Sequence, residues 1–223
     1  PSIKKILYKS INDGYKDITI LPMFPQYSTT TTLSIFELIR SIIKKDKSFF
    51  KNISIKAVKD FHDNSLYIKS CASKIKKARD RLGNPDKLLF SFHGIPESYI
   101  CDDEPYQMQC LSTASLIAKE LNLDNMQYEV AFQSRFGKAE WIKPYLSSRL
   151  EELPKEGIKN IHVFCPGFSS DCLETIDEIG RESKDEFLEN GGESFEFIPC
   201  LNSDDNFINA LMDIQKQPDI RIL

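Results

Sequence analysis

The sequence predicts an α/β protein with parallel, doubly wound sheets. Three observations carry that prediction. Apolar runs of strand length alternate with segments of helical periodicity along the whole chain. None of the about six strand candidates is joined to the next by a hairpin signal, so successive strands need crossover helices. The residues with chemistry to offer fall just after the strand candidates, where open α/β sheets hold their ligands.

Ile3, Ile6, Leu7 and Ile11 recur at helical spacing over residues 2–13, and Gly14 closes that segment. Asp17 to Leu21 reads as a short buried strand stopping at Pro22. Met23 to Thr32 (MFPQYSTTTT) is a loop and a hydroxyl-rich helix start, continued by Leu33, Phe36, Leu38, Ile39, Ile42 and Ile43. Ile53, Ile55 and Ala57 alternate as a strand, and His62-Asp63-Asn64 introduces a helix over 66–82. The unbroken apolar run Leu88 to Phe92 has the pattern of a strand buried on both faces, and it stops at His93-Gly94-Ile95-Pro96. A helix through Leu111, Ala114, Ile117, Ala118 and Leu121 follows, then a strand at Tyr128, Val130 and Phe132. The loop Gln133 to Trp141 (QSRFGKAEW) and a helix over 144–156 come next. A strand over 160–164, an acidic helix, a strand over 195–198 and a helix over 204–216 complete the chain.

The 223 residues suffice for one large domain or two small ones. Hydrophobic residues at 41% and charged residues at 28% are ordinary for a globular protein. A net charge of −4 gives no electrostatic footprint for nucleic acid. No apolar run approaches a membrane span and no signal peptide is visible. The cysteines at 71, 101, 110, 165, 172 and 200 form no Cys-x-x-Cys pair, so reduced thiols in a cytoplasmic setting are expected. No glycine-rich loop supports nucleotide binding.

The densest chemistry lies in CPGFSSDCLETIDEIGRE, Cys165 to Glu182. Asp171, Glu174 and Glu178 are spaced i, i+3 and i+7, which an α-helix places on one face. Two readings fit that spacing. Asp171 is an N-cap with Glu174 as its capping-box partner, or the row is functional, since stacked like charges need a cation or proton among them. His93, at the end of an apolar strand, projects at the same rim as Glu174 and offers a proton-transfer or transient metal pair. Neither Cys-x-x-Cys nor His-x-x-x-His spacing supports tight zinc. His162, inside a strand, reads as structural, and His62, in a polar loop, as exposed. Trp141 and Phe168 border the rim as packing residues or as platforms for a flat ligand.

Six ordered blocks resemble the ferrochelatase family, and its bacterial members in particular. They are LPMFPQYSTTTT (21–32), LLFSFHGIPESY (88–99), DEPYQMQC (103–110), FQSRFGKAEWIKPY (132–145), CPGFSSDCLETIDEI (165–179) and IPCLN (198–202). The resemblance implies two Rossmann-like lobes with a porphyrin cleft between them. Residues 1–70 would be the remainder of the first lobe and 71–223 the second, with the last helix packing back on the first. It implies a lyase of heme biosynthesis that inserts Fe²⁺ into protoporphyrin IX. The alternatives are a coproporphyrin III ferrochelatase, a cobalt chelatase, and a non-catalytic tetrapyrrole- or metal-binding module.

Residue by residue, the resemblance makes His93 and Glu174 the catalytic pair. It makes His93, Glu174 and Glu178 transient Fe²⁺ ligands, with Glu182 continuing the acidic row, and Ser134, Trp141 and Asp171 cleft-lining positions. It assigns no metal role to Cys172. Family members normally begin with a further N-terminal segment that holds a first strand and several porphyrin contacts, and this chain begins inside that lobe. Thr29 stands where animal relatives carry a cluster cysteine, and no cysteine cluster follows Leu201, so no [2Fe–2S] cluster and no tightly bound cofactor are expected. Porphyrin and ferrous iron are the expected partners, together with peripheral membrane association.

Overall fold

The computed structural model describes residues 1–101 and 104–223. Asp103, the first residue of the 103–110 block, lies outside the described residues.

Seven strands form two sheets among the described residues. The larger sheet has the order β4-β3-β5-β6, from β3 (Lys87–His93), β4 (Tyr128–Gln133), β5 (Asn160–Phe164) and β6 (Ser194–Ile198), and every pairing in it is parallel. Leu88, Leu89, Phe90 and Phe92 of β3 are fully buried, and the alternation of the strand sends them to opposite faces. Phe90 and Phe92 join a core shared with α3 (Ser65–Leu82), α4 (Tyr106–Glu120) and α8 (Asp205–Ile214). Leu89 joins the other core, with Leu146 and Leu150 of α5 (Leu146–Glu152) and Phe187 of α7 (Lys184–Glu189). Helices on both faces satisfy the doubly wound pattern. Burying each large apolar side chain contributes roughly 1.5–3 kcal/mol.

The smaller sheet has the order β1-β2-β7. Strands β1 (Asp17–Ile20) and β2 (Ser54–Ala57) run parallel, and α1 (Ile3–Asn12) and α2 (Ser34–Lys45) close a core around Leu7, Ile39, Ile42 and Ile55. Strand β7 (Ile220–Arg221) pairs antiparallel with β2, which makes this sheet mixed. Two residues carry no periodicity, so the sequence gives no sign of that strand. Helix α3 spans the division expected at 70/71, and α8 packs along it, with the Tyr67 and Phe207 ring centroids 6.3 Å apart.

The acidic helix differs from its expected form. Its first helical turn, α6, covers only Leu173–Ile176, and the chain then widens into a π-helical segment over Glu178–Ser183 before α7 begins. The Glu182 N–H reaches the Asp177 carbonyl at 2.9 Å, five residues back. The N-cap is Cys172, boxed with Thr175, rather than Asp171 boxed with Glu174. Another π segment, Thr29–Leu33, opens α2. Such segments change the facing of every side chain that follows, so α-helical spacing does not carry across them.

Candidate active site between the two sheets

Each wall of the site begins at a strand end. His93 closes β3, directly after fully buried Phe92, and is half-buried. Its Nδ1 lies 2.6 Å from the Gly94 carbonyl. A carbonyl only accepts, so Nδ1 carries the proton and, in the neutral ring, Nε2 keeps its lone pair. The Tyr106 hydroxyl donates to the His93 carbonyl at 2.8 Å and fixes the backbone there. A Cβ on Gly94 would stand 3.0 Å from Trp141 Cε3 and 3.1 Å from the Gln133 carbonyl. Glycine therefore lets the indole lie against the strand end. Trp141 is 4% exposed, with its ring centroid 6.3 Å from that of His93 and 5.1 Å from that of Phe136.

The facing wall comes from the segment after β1. Gln26, Ser28, Thr30 and Thr31 line it, and Gly167, after β5, closes the floor close to Phe92 and Gln26. Between the walls is a cavity of about 430 Å³, in the size range of small-molecule sites. Aromatic rings from Phe24, Tyr99, Phe136, Trp141 and Phe168 dominate its lining. His93 and Glu174 supply its imidazole and its carboxylate, and among the described residues no Lys or Arg lines it. The Glu174 carboxyl is held below its ordinary range, first by the Cys172 thiol and then by its own backbone N–H, against the opposing effect of burial, with the His93 ring adding the smallest contribution. An ionised carboxylate thus shares the cavity with a ring nitrogen free to take a proton.

His93, Trp141 and Glu174 line one cavity, whereas Ser134, Glu178 and Asp171 stand elsewhere. Ser134 has a left-handed backbone, φ 64°, and gives both its N–H and its hydroxyl to Glu178 at 2.7 Å. Both residues, with Glu182, line an adjoining pocket of about 180 Å³. Gln133 bridges the two spaces, donating to the Glu174 carbonyl at 2.7 Å and to Glu178 at 3.3 Å. The acidic row is therefore divided: Glu174 faces the aromatic cavity and Glu178 its neighbour. Asp171 is not among the residues lining either space. Its carboxylate accepts from the Asn202 side chain at 2.7 Å, the Cys200 N–H at 3.0 Å and Thr175 at 3.2 Å, and it clasps the end of β6 to the start of α6. Burial raises its pKa, and these donors more than offset that and leave it lowered.

His62 is half-buried rather than exposed, since its Nδ1 lies 2.6 Å from Asp60. His162 is buried, as expected of a strand residue. Sequence reasoning missed Phe136 and the hydroxyl wall. Phe136 is 73% exposed, a large aromatic left in water beside Trp141, and only its place in the loop after β4 hinted at a role.

A parallel sheet covered on both faces, a smaller mixed sheet and a cleft at their strand ends give a two-sheet α/β fold that solved chelatases share. The solved structure of SirB from Bacillus subtilis with Fe³⁺ superposes with a TM-score of 0.69, covering 97% of this chain and 77% of that one at 14% identity. The sirohydrochlorin chelatase SirB from Bacillus subtilis subspecies spizizenii in complex with cobalt gives a TM-score of 0.64 at 13% identity, covering 97% of this chain and 75% of its own. The ferrochelatase family profile matches residues 1–218, and the chain belongs to the ferrochelatase family. The ferrochelatase of Herminiimonas arsenicoxydans is 45% identical over 214 residues, 96% of this chain, and that of Idiomarina loihiensis 40% over the same share. The chain spans 57% and 58% of the lengths of those two relatives.

Proposed function

We propose that this chain carries the metallation site of a ferrochelatase that inserts Fe²⁺ into protoporphyrin IX, the step that completes protoheme. The observation that carries the reading is the pairing of His93, with Nε2 free, and ionised Glu174 in one aromatic cavity. Metallation requires two pyrrole N–H protons to leave as the ion arrives. Neutral His93 accepts a proton at Nε2, and Glu174 stabilises the imidazolium or takes the proton onward. Oxygen and imidazole donors hold ferrous iron loosely enough for transfer, as a transit site needs. Glu178 and Glu182, one pocket away, offer a route for protons or metal.

The aromatic rings of the lining suit the flat face that protoporphyrin and coproporphyrin III share. Fe²⁺ is a substrate in this reading, with no resident cofactor. The test is iron insertion into each porphyrin by the wild-type protein and by His93→Ala. The variant should lose about 10²–10⁴-fold in rate, the usual worth of a proton acceptor, and still bind porphyrin. Wild-type turnover in folded His93→Ala would refute the assignment.

A further inference from the structure

The two walls of the cavity come from chain segments far apart in sequence, and one buried carboxylate joins them. Glu104 is 7% exposed. Its Oε2 accepts from the Ser28 hydroxyl at 3.1 Å, the Thr29 N–H at 2.8 Å and the Thr29 hydroxyl at 2.5 Å. Its Oε1 accepts from the Tyr106 N–H at 3.3 Å. Tyr106 in turn donates its hydroxyl to the carbonyl of His93 at 2.8 Å. The chain of contacts thus runs from the hydroxyl wall, through Glu104 and Tyr106, to the residue that holds the imidazole.

We propose that Glu104 is a positioning residue that sets the spacing between the Ser28–Thr31 wall and the His93 wall, and thereby the affinity of the cavity for a flat tetrapyrrole. The proposal rests on the tetrapyrrole reading above. Its physical basis is the concentration of donors on one oxygen. A carboxylate that accepts three hydrogen bonds at a single Oε2 holds them more strongly than a neutral acceptor would. Because it is buried, no water replaces it when it is lost. Glu104 and Thr29 are both absent from the cavity lining, so they act on the ligand only through the walls. Among the described residues no cation is bonded to Glu104, and its part is geometric rather than the neutralisation of a partner.

The test is a titration of the 223-residue chain with protoporphyrin IX, followed by quenching of Trp141, the only tryptophan, and by the shift of the porphyrin absorption band. Glu104→Gln keeps the shape and one acceptor, and should raise Kd about tenfold, the scale of one charge-assisted hydrogen bond. Thr29→Val removes a single donor from the opposite side and should raise Kd about threefold. The double variant should be no weaker than Glu104→Gln alone, because both changes break one contact; a merely destabilising role predicts additive losses. Amide exchange at residues 28–31 should quicken in both single variants. Wild-type Kd in folded Glu104→Gln overturns the proposal, and if that variant fails to fold, wild-type Kd in Thr29→Val overturns it. A wild-type chain whose Trp141 emission ignores porphyrin overturns the tetrapyrrole reading instead.

Discussion

Gly94 is the position where a single hydrogen sets the site. A methyl there would meet the Trp141 ring at 3.0 Å and a backbone carbonyl at 3.1 Å, and the carbonyl belongs to a paired strand that cannot yield. The indole would have to move. Gly94→Ala should displace Trp141, cost roughly 1–3 kcal/mol of stability and weaken porphyrin binding. A shift in Trp141 emission and a lower urea midpoint would register it; unchanged emission would mean the ring has slack that the packing does not show. His93 and Gly94 were legible because an unbroken apolar run followed by His-Gly-x-Pro marks the end of a buried strand. Trp141 was legible at the rim from its place in the loop after β4, but packing and ligand contact could not be told apart there, since a lone tryptophan in a polar loop carries no periodic signal.

At the scale of elements, the acidic segment shows how spacing misleads. Glu174 and Glu178 would share a face in a continuous α-helix, but the helix widens from Glu178 onward and the two carboxylates line different spaces, with Gln133 donating to the Glu174 backbone carbonyl and to the Glu178 carboxylate. Asp171 stands before the helix and ties β6 to α6 through Asn202 and Cys200. Asp171→Asn should cost about 1–3 kcal/mol, since it removes a charged acceptor from a partly buried cluster. The folded carboxyl titrates lower than the unfolded one, so its stabilisation is full above the unfolded value and is lost as pH falls toward the folded one. The variant should therefore show a flatter acid limb when Tm is followed from pH 6 downward; a limb as steep as wild type would remove Asp171 from that role. Nothing in local sequence distinguishes this aspartate from an N-cap. Its partners Cys200 and Asn202 lie about 30 residues downstream, beyond the reach of any helical pattern.

For the whole molecule, the sensitive joint is His162, where β5 meets α3 and β6. It is 4% exposed, and its pKa is lowered first by burial and next by the Arg79 guanidinium, with Glu196 pulling weakly the other way. The folded chain thus resists a proton that the unfolded chain accepts near pH 6.5. Stability is full above that value and declines as pH falls through the window below it. His162→Leu should flatten the Tm profile between pH 7 and pH 5, and a variant profile as steep as wild type would place the acid sensitivity elsewhere. No helix of the described residues is long and apolar enough to cross a membrane.

The sequence by itself determined the alternation of strands and helices, the burial of β3 on both faces and the strand-end position of His93 and Glu174. These follow from periodicity, and periodicity is local. Only the tertiary structure decided that β7 turns back antiparallel, that Glu178 binds Ser134 in a separate pocket, and that Glu104 reaches across to Ser28 and Thr29. Each of those depends on a hydrogen bond between groups more than forty residues apart, and the geometry of such a bond exists only once the sheets have packed.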